Sequence, residues 1–228
     1  MSTSPRNDAR QPVMSDKQTL PVGTLVLAGM LVLLMLLTYA LVKPKSPPPE
    51  LRGVLRSEFR PLASFQLQTH DRGPITEASL RGKWTFVFFG YLSCPDVCPN
   101  TLHELDALYR LLEDETGKRP EDMQVLFVSL DPGRDTTEKL ASYVAHFNVR
   151  FIGATAGKGA IERFTRQFGV SYRLEEETAP GQYLVAHTSA IFLVDPYVRL
   201  MATFSQPHYA ATLLSQYQKI NHYYAGSG

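Results

Sequence analysis

The stretch FVFFGYLSCPDVCPN, residues 86–100, decides how the rest of the chain is arranged. Its first part is apolar, aromatic and β-branched, which predicts a buried strand over Trp84–Phe89. A glycine interrupts that pattern, and the only two cysteines of the chain, Cys94 and Cys98, follow it. Leucines at helical spacing then predict a helix over Thr101–Glu115. Both thiols therefore lie on a turn between a strand and a helix.

The position and spacing of the two cysteines limit the chemistry that they can carry out. A helix N-terminus carries partial positive charge, which favours thiolate over thiol. A separation of four residues brings the side chains of Cys94 and Cys98 to the same side of the turn. Together they could form a redox-active disulfide or bind a metal. A purely structural disulfide is an alternative, although closing so short a loop contributes only about 2 kcal/mol. A second alternative is a pair of unrelated buried thiols.

The N-terminal part of the chain differs in composition from the rest. Residues 1–19 are polar and lack periodicity, which predicts a disordered tail. Residues 20–42 contain no charge and would reach roughly 34 Å as a helix, enough to cross a bilayer core of about 30 Å. This stretch is longer than the apolar part of a signal peptide, so we predict a retained single transmembrane anchor. A proline-rich linker (residues 43–50) and one domain (residues 51–228) follow.

The charges around this predicted anchor do not favour a cytoplasmic N-terminus. Three basic residues precede the apolar stretch and four follow it, namely Arg6, Arg10 and Lys17, then Lys43, Lys45, Arg52 and Arg56. The cysteine pair and its predicted metal chemistry favour the outer side of an inner membrane. We therefore expect a single-pass protein with its domain in the periplasm, or in the intermembrane space if it is mitochondrial.

Strand and helix patterns alternate along the domain, which indicates an α/β fold. Only a short turn separates the last two predicted strands, so that pair is antiparallel and the sheet is mixed. The sequence predicts further strands at Ala63–Leu67, Gln124–Leu130, Phe151–Gly153, Ser189–Val194 and Leu200–Phe204. It predicts further helices at 135–147, with Asp135 as the N-cap of a capping box, at Ile161–Phe168 and at His208–Tyr224.

Two thiolates leave a metal undercoordinated, so a third ligand is sought among the six histidines. His103 lies about 140° round the predicted helix from Cys98 and points away. His187 stands at the entry to a core strand, a rigid place from which to orient an imidazole. An ordinary structural role for His187 stays open on this evidence alone. The other four histidines have polar or helical-surface settings, and we expect them to be ordinary: His70, His146, His208 and His222.

Three motifs together resemble the Sco/SenC family of proteins. They are FFGYLSCPDVCPNTL, FVSLDPGRDT and VAHTSAIFLVDP, in that order and behind an N-terminal anchor. The resemblance covers the chain from about Phe59 to the C-terminus. It implies a thioredoxin-like fold with an inserted hairpin, and copper binding through Cys94, Cys98 and His187. Two soft thiolates and an imidazole suit Cu(I), and the same set can hold Cu(II).

The resemblance also implies a function in assembling the copper centre of cytochrome c oxidase. The implied partners are the copper-bearing oxidase subunit and other copper chaperones or thiol reductants. Family members often carry Asp before the histidine and His before the first cysteine, where this chain has Ala186 and Ser93. Asp131, which follows a predicted strand, could orient the site; its alternative role is that of a turn residue before Pro132.

Three functions therefore remain open at the level of sequence. The first is a membrane-anchored copper chaperone, which binds metal rather than catalysing a reaction. The second is a thiol–disulfide oxidoreductase that reduces the cysteines of the oxidase copper site, with Cys94 and Cys98 as its redox pair. The third is a peroxidase of the thioredoxin fold, although a proline-flanked pair is not the usual form of that site. A net charge of +1 gives no indication of nucleic-acid binding.

Overall fold

A computed structural model of the protein describes residues 22–42, 48–117 and 121–225. The chain divides into two compact units, Met1–Lys45 and Ser46–Gly228.

Helix α1 (Val22–Val42) is the described element of the first unit. It contains no charged residue, and its window Val22–Tyr39 is long and apolar enough to cross a membrane, with a mean hydropathy of 2.3. At about 1.5 Å per residue the helix is about 32 Å long, close to the thickness of a bilayer core. The predicted tail, residues 1–19, and residues 43–47 of the predicted linker lie outside the described residues.

The second unit alternates strands and helices, as the sequence predicts. It opens with a short 3-10 helix at Pro49–Leu51. The strands are β1 (Leu55–Pro61), β2 (Trp84–Gly90), β3 (Met123–Ser129), β4 (Ile152–Ala154), β5 (Tyr172–Leu174), β6 (Val185–His187), β7 (Ile191–Val194) and β8 (Arg199–Phe204). The helices are α2 (Glu77–Leu80), α3 (Val97–Thr116), α4 (Thr137–Phe147), α5 (Lys158–Phe168) and α6 (Ala210–Ala225).

Six of these strands form one mixed sheet in the order β1-β8-β7-β2-β3-β4. The β2–β3 and β3–β4 pairs are parallel, whereas β7 lies antiparallel to both β2 and β8. This confirms the predicted mixed sheet and the predicted antiparallel pair. Strands β5 and β6 form a separate two-stranded antiparallel sheet, and β6 ends at His187.

The sheet has a hydrophobic core on each face. Side chains of a strand alternate between faces, and in β2 Phe86 and Phe88 pack with residues of α3 and α6, whereas Val87 and Phe89 pack with residues of α5. All four of these β2 side chains have no exposed surface. Burial of a large apolar side chain stabilises a fold by about 1.5–3 kcal/mol. The central strand is therefore firmly held on both faces up to the point where the cysteine loop begins.

The predicted strand at Ala63–Leu67 is wrong. The first strand is instead β1, which pairs with β8 at the edge of the sheet, and Leu67 makes only an isolated bridge to Ile75. An edge strand can carry charged residues and a terminal proline because one side of it faces solvent. The sequence LRSEFRP of β1 therefore lacks the apolar run that marks the central strands.

Helices α3 and α4 begin differently from the predictions. Helix α3 begins at Val97 rather than Thr101, which places Cys98 and Pro99 in its first turn, where proline is tolerated. The N-cap of α4 is Thr136, whose hydroxyl accepts a hydrogen bond from the Lys139 N–H, and not Asp135 as predicted. Asp135 instead accepts a hydrogen bond from the Leu92 N–H of the loop that follows β2.

Candidate metal centre

The cysteine loop joins the end of β2 to the start of α3. Cys94 lies in the loop and is half-buried, whereas Cys98 is buried in the first turn of the helix. Gly90, the last residue of β2, lies directly against Cys98. A Cβ atom added at Gly90 would stand 2.7 Å from Cys98 Sγ and 2.7 Å from Phe127 Cε2. A residue without a side chain is therefore needed where the strand passes the second cysteine.

His187 reaches the cysteines from the β5–β6 hairpin. Its Nδ1–H donates a hydrogen bond to the Thr188 carbonyl oxygen at 3.0 Å, and its Nε2 lies 3.9 Å from Cys98 Sγ. The Phe88 and Tyr91 rings meet the imidazole edge to face, with centroids 6.3 and 6.1 Å away. A proton fixed on Nδ1 leaves the lone pair of Nε2 free to bind a metal.

The three predicted ligands come together in the fold. Their ligand atoms, the Cys94 and Cys98 sulfurs and one His187 ring nitrogen, all lie within 4.8 Å of one another. Among the residues that the structure describes, no other group of three His, Cys, Asp or Glu side chains brings its ligand atoms this close together. The two sulfurs are free thiols here and are not joined in a disulfide.

The two thiols differ in protonation because one is the hydrogen-bond donor of the other. The Cys98 side chain donates to Cys94, and the Cys98 and Asp96 N–H groups add to this, lowering the pKa of Cys94 to about 4. The Cys98 N–H lies 3.4 Å from Cys94 Sγ. The hydrogen bond to Cys94, together with burial, raises the pKa of the Cys98 thiol. The metal-free site thus holds a thiolate at Cys94 and a thiol at Cys98.

The other histidines stay away from this group. The His103 ring packs against Phe147 with centroids 4.8 Å apart, and His70 pairs with Glu138 at 3.5 Å. His208 differs from the surface setting predicted for it, because it is buried and its Nε2–H donates to the Ser189 carbonyl oxygen at 2.9 Å.

The loop after β3 contributes two buried carboxylates beside the site. Asp131 is a turn residue, whose carbonyl oxygen accepts the Asp135 N–H at 3.0 Å, and its carboxylate also accepts the Tyr183 hydroxyl at 2.8 Å. The Asp135 carboxylate accepts the Leu92 N–H of the cysteine loop at 3.0 Å and the Ser129 hydroxyl at 2.6 Å. Burial raises the pKa of Asp135. The sequence does not indicate this role of Asp135, because its spacing from Glu138 is that of a capping box.

A mixed sheet flanked by helices, with a cysteine pair at the N-terminus of a helix, defines the thioredoxin-like class of proteins. A hairpin that brings a histidine to that pair distinguishes a subgroup within the class. The family model described as SCO1/SenC matches residues 56–222. The chain belongs to this family.

Individual relatives agree with the family assignment. A putative copper-binding protein of Stutzerimonas stutzeri is 33% identical over 137 residues, which cover 60% of this chain and 65% of that protein. The mitochondrial protein SCO2 homolog of Bos taurus is 36% identical over 132 residues, which cover 58% of this chain and 49% of that protein. The chain thus spans about half to two thirds of the length of these relatives.

A solved structure of the family has the same fold. The crystal structure of Arabidopsis thaliana ScoI with copper bound superposes with a TM-score of 0.64 at 31% sequence identity. The superposition covers 70% of this chain and 98% of that one. The thioredoxin-like fold and the inserted hairpin that the sequence resemblance implies are therefore both confirmed.

Proposed function

We propose that this protein is a copper chaperone whose metal ligands are Cys94, Cys98 and His187. The observation that carries the proposal is the approach of their ligand atoms to within 4.8 Å of one another. Two sulfurs and an imidazole nitrogen suit Cu(I), and the same set can hold Cu(II). A structural zinc site usually has four protein ligands, whereas the group in the described residues has three.

The proposed recipient of the copper is the copper-bearing subunit of cytochrome c oxidase. Other copper chaperones or thiol reductants would load or reduce the site beforehand. Membership of the SCO1/SenC family and the similarity to a copper-bound ScoI support this proposal. The exposure of the two sulfurs also fits a transfer function, because an incoming partner can reach half-buried Cys94 while Cys98 stays buried.

The proposed organisation of the chain attaches this site to a membrane. A polar tail (residues 1–19) precedes an anchor (residues 20–42), and a proline-rich linker (residues 43–50) connects this anchor to the copper-binding domain (residues 51–228). The length and composition of α1 support the anchor. The domain is proposed to face the periplasm, or the intermembrane space if the protein is mitochondrial.

A second function, thiol–disulfide exchange, is favoured by the protonation of the pair. Cys94 is half-exposed and, as a thiolate, would attack a disulfide of the oxidase copper site to form a mixed disulfide. The Cys98 sulfur, after losing its proton, would then displace the partner's sulfur. This closes the Cys94–Cys98 disulfide and leaves both partner sulfurs reduced. Such chemistry needs the two thiols but not His187.

The copper-binding proposal is tested by titrating the full-length protein in detergent with Cu(I) in its reduced and disulfide forms. We expect about one copper per reduced chain and almost none per oxidised chain, because a disulfide offers no thiolate ligand. Cys94→Ser or Cys98→Ser should abolish tight binding, since a hydroxyl is a hard, neutral donor. Equal binding by the reduced and oxidised forms would exclude the cysteines as ligands.

The variant His187→Ala separates copper delivery from thiol exchange. It keeps both sulfurs, so the disulfide should still form, but copper affinity should fall or the copper spectrum should change. In cells, oxidase assembly should fail if the protein delivers copper and survive if it only reduces thiols. Unchanged affinity and spectrum would show that His187 is not a ligand. Weaker copper binding with normal assembly would favour the oxidoreductase function.

A further inference from the structure

The hairpin that carries His187 is too small to fix the position of this residue by itself. Strands β5 and β6 contain three residues each and pair only with one another, outside the six-stranded sheet. An isolated two-stranded hairpin is marginally stable at best. The distance between His187 and the cysteines must therefore depend on contacts between the hairpin and the rest of the domain.

Arg134 makes two such contacts from the loop after β3, and its neighbour Asp131 makes a third. Its guanidinium lies over the Tyr183 ring, 3.5 Å from the centroid, and its Nη1 donates to the Gly181 carbonyl oxygen at 3.1 Å. Its Nε donates to the Asp131 carboxylate, which also accepts the Tyr183 hydroxyl. Gly181 and Tyr183 belong to the hairpin and lie a few residues before His187. Arg134 and Asp131 thus contact the hairpin at its backbone, through the Gly181 carbonyl, and at the ring and hydroxyl group of Tyr183.

The charged members of this cluster are shielded from water. The Asp131 side chain is 3% exposed and that of Arg134 is 22% exposed. A charge-assisted hydrogen bond between partly buried groups is stronger and better oriented than one on the surface. Arginine also matches this geometry better than lysine would, because its planar group can stack and donate in two directions at once.

The same loop is attached to the cysteines at its other end. Asp135 accepts the Leu92 N–H at 3.0 Å, and Leu92 lies two residues before Cys94. Ser129, at the end of β3, donates its hydroxyl to the same carboxylate oxygen and accepts the Asp131 N–H at 3.0 Å. Residues 131–135 therefore connect the hairpin of His187 with the loop of Cys94.

We infer that Arg134 and Tyr183, acting through Asp131, are positioning residues that hold His187 over the cysteine pair and so set the geometry of the metal centre. Their contacts described above run to the loop and the hairpin rather than to the sulfurs or the imidazole. The inference rests on the proposed function, since it takes His187 to be a copper ligand.

The test compares Arg134→Lys and Tyr183→Phe with two controls in the reduced full-length protein in detergent. Arg173→Lys alters an exposed arginine of the same hairpin, and Tyr197→Phe removes a hydroxyl from an exposed tyrosine. Loss of a partner that orients a metal ligand typically lowers affinity by about 10–100-fold. We expect such a loss for Arg134→Lys and Tyr183→Phe, with a changed sulfur-to-copper charge-transfer band in the Cu(II) form. The two control variants should match the wild type in copper affinity and in the charge-transfer band.

The spectrum separates positioning from a merely structural role, because weaker folding alone would not alter the band of the folded, copper-loaded protein. Tyr183→Phe keeps the ring under Arg134, so it should fold even if Arg134→Lys does not. Wild-type affinity and spectrum in a folded Tyr183→Phe would overturn the role of its hydroxyl, and the same result in a folded Arg134→Lys would overturn the whole inference.

A double-mutant comparison shows whether the effect passes through His187. In a His187→Ala background, Arg134→Lys should lower copper affinity no further, because the ligand that it positions is already missing. An additional loss of the same size as in the wild type would overturn the inference. Failure of the proposed function looks different, since the wild type and Cys94→Ser would then bind copper equally weakly.

Discussion

At the scale of single residues, the site is asymmetric because the two sulfurs occupy different environments. Cys94 is half-exposed and receives hydrogen bonds, with Cys98 the main donor, whereas Cys98 is buried against Gly90 and donates its own proton. Hydrogen bonds to the charged form of a thiol stabilise it, and burial without such partners does the opposite. The Cys94 sulfur is therefore accessible and ionised, whereas the Cys98 sulfur is buried and protonated.

This asymmetry predicts the pH dependence of alkylation in the reduced, metal-free protein. An ordinary thiol has a pKa of about 8.5, so its alkylation rate rises about tenfold per pH unit between pH 6 and 8. Cys94, with its pKa lowered to about 4, is already a thiolate throughout this range. Its rate of reaction with iodoacetamide should therefore be nearly constant. Mass spectrometry of the modified peptide measures this rate at each pH.

The matched control for this experiment is Cys94→Ser, which leaves Cys98 as the only thiol. Because that thiol is buried, it should react slowly at every pH used. A tenfold increase per pH unit at Cys94 of the wild type would contradict the predicted thiolate.

Sequence predicted the three residues of the candidate metal centre but not the residues that support them. Cys94 and Cys98 are conspicuous as the only cysteines, and His187 stands at the entry to an apolar strand within a family motif. Asp135 looked like a helix cap, since its pattern with Glu138 is that of a capping box. Its partner, the Leu92 N–H, lies 43 positions away, and no local pattern records a contact of that kind.

At the scale of secondary-structure elements, the candidate metal centre depends on how closely the end of β2 packs against the start of α3. The strand is parallel to β3 over its whole length, from Trp84 opposite Met123 to Gly90 opposite Ser129. Gly90, the last residue of β2 in this ladder, lies against Cys98 in the first turn of α3. No room remains there for a side chain, since an added Cβ would overlap both Cys98 Sγ and the Phe127 ring.

Gly90→Ala should therefore destabilise the domain and disturb the metal centre together. Overpacking of a filled core typically costs about 1–3 kcal/mol, and here the sulfur of Cys98 is one of the atoms that must move. The buried Trp84, the one tryptophan of the chain, reports unfolding in urea by its fluorescence. A copper titration of the same variant should show weaker binding.

Gly159→Ala is the control for this substitution. Gly159 lies in the first turn of α5, and the nearest atom to an added Cβ would be Arg163 Nη1 at 3.6 Å, the end of a flexible side chain. Alanine is also the better helix former, so this variant should be as stable as the wild type or slightly more so. A Gly90→Ala protein with wild-type stability and copper affinity would refute the proposed close packing.

The elements that sequence predicted well are those whose own residues specify them. The runs WTFVFF, QVLFVSL and IFLV are apolar because β2, β3 and β7 are covered on both faces of the sheet. Strand β1 and the β5–β6 hairpin lack such runs, because one is an edge strand and the other lies outside the sheet. Their positions depend on partners such as β8 and the Arg134 loop, which a local pattern does not contain.

At the scale of the whole molecule, sheet topology explains how residues far apart in sequence form one site. Cys98 and His187 are 89 positions apart. Because β7 is antiparallel to β2, with Phe88 opposite Ile191, the start of β7 lies at the end of β2 where the cysteine loop begins. His187 precedes Ile191 by four residues, so the chain enters the sheet directly beside the cysteines.

The last prediction concerns the side of the membrane on which this site lies. A domain that exchanges disulfides or receives copper is most useful in an oxidising compartment outside the cytoplasm, and α1 is long enough to be its anchor. Alkaline phosphatase, which folds only outside the cytoplasm, should therefore be active when it is fused after Gly228 in a bacterial host. Deletion of residues 20–42 should abolish that activity, because the domain would then remain inside.

Green fluorescent protein, which does not fluoresce after unfolded export, serves as the reciprocal reporter at the same position. A fluorescent fusion together with an inactive phosphatase fusion would place the domain in the cytoplasm and refute the proposed topology, while leaving the copper site itself to be judged by its own titration.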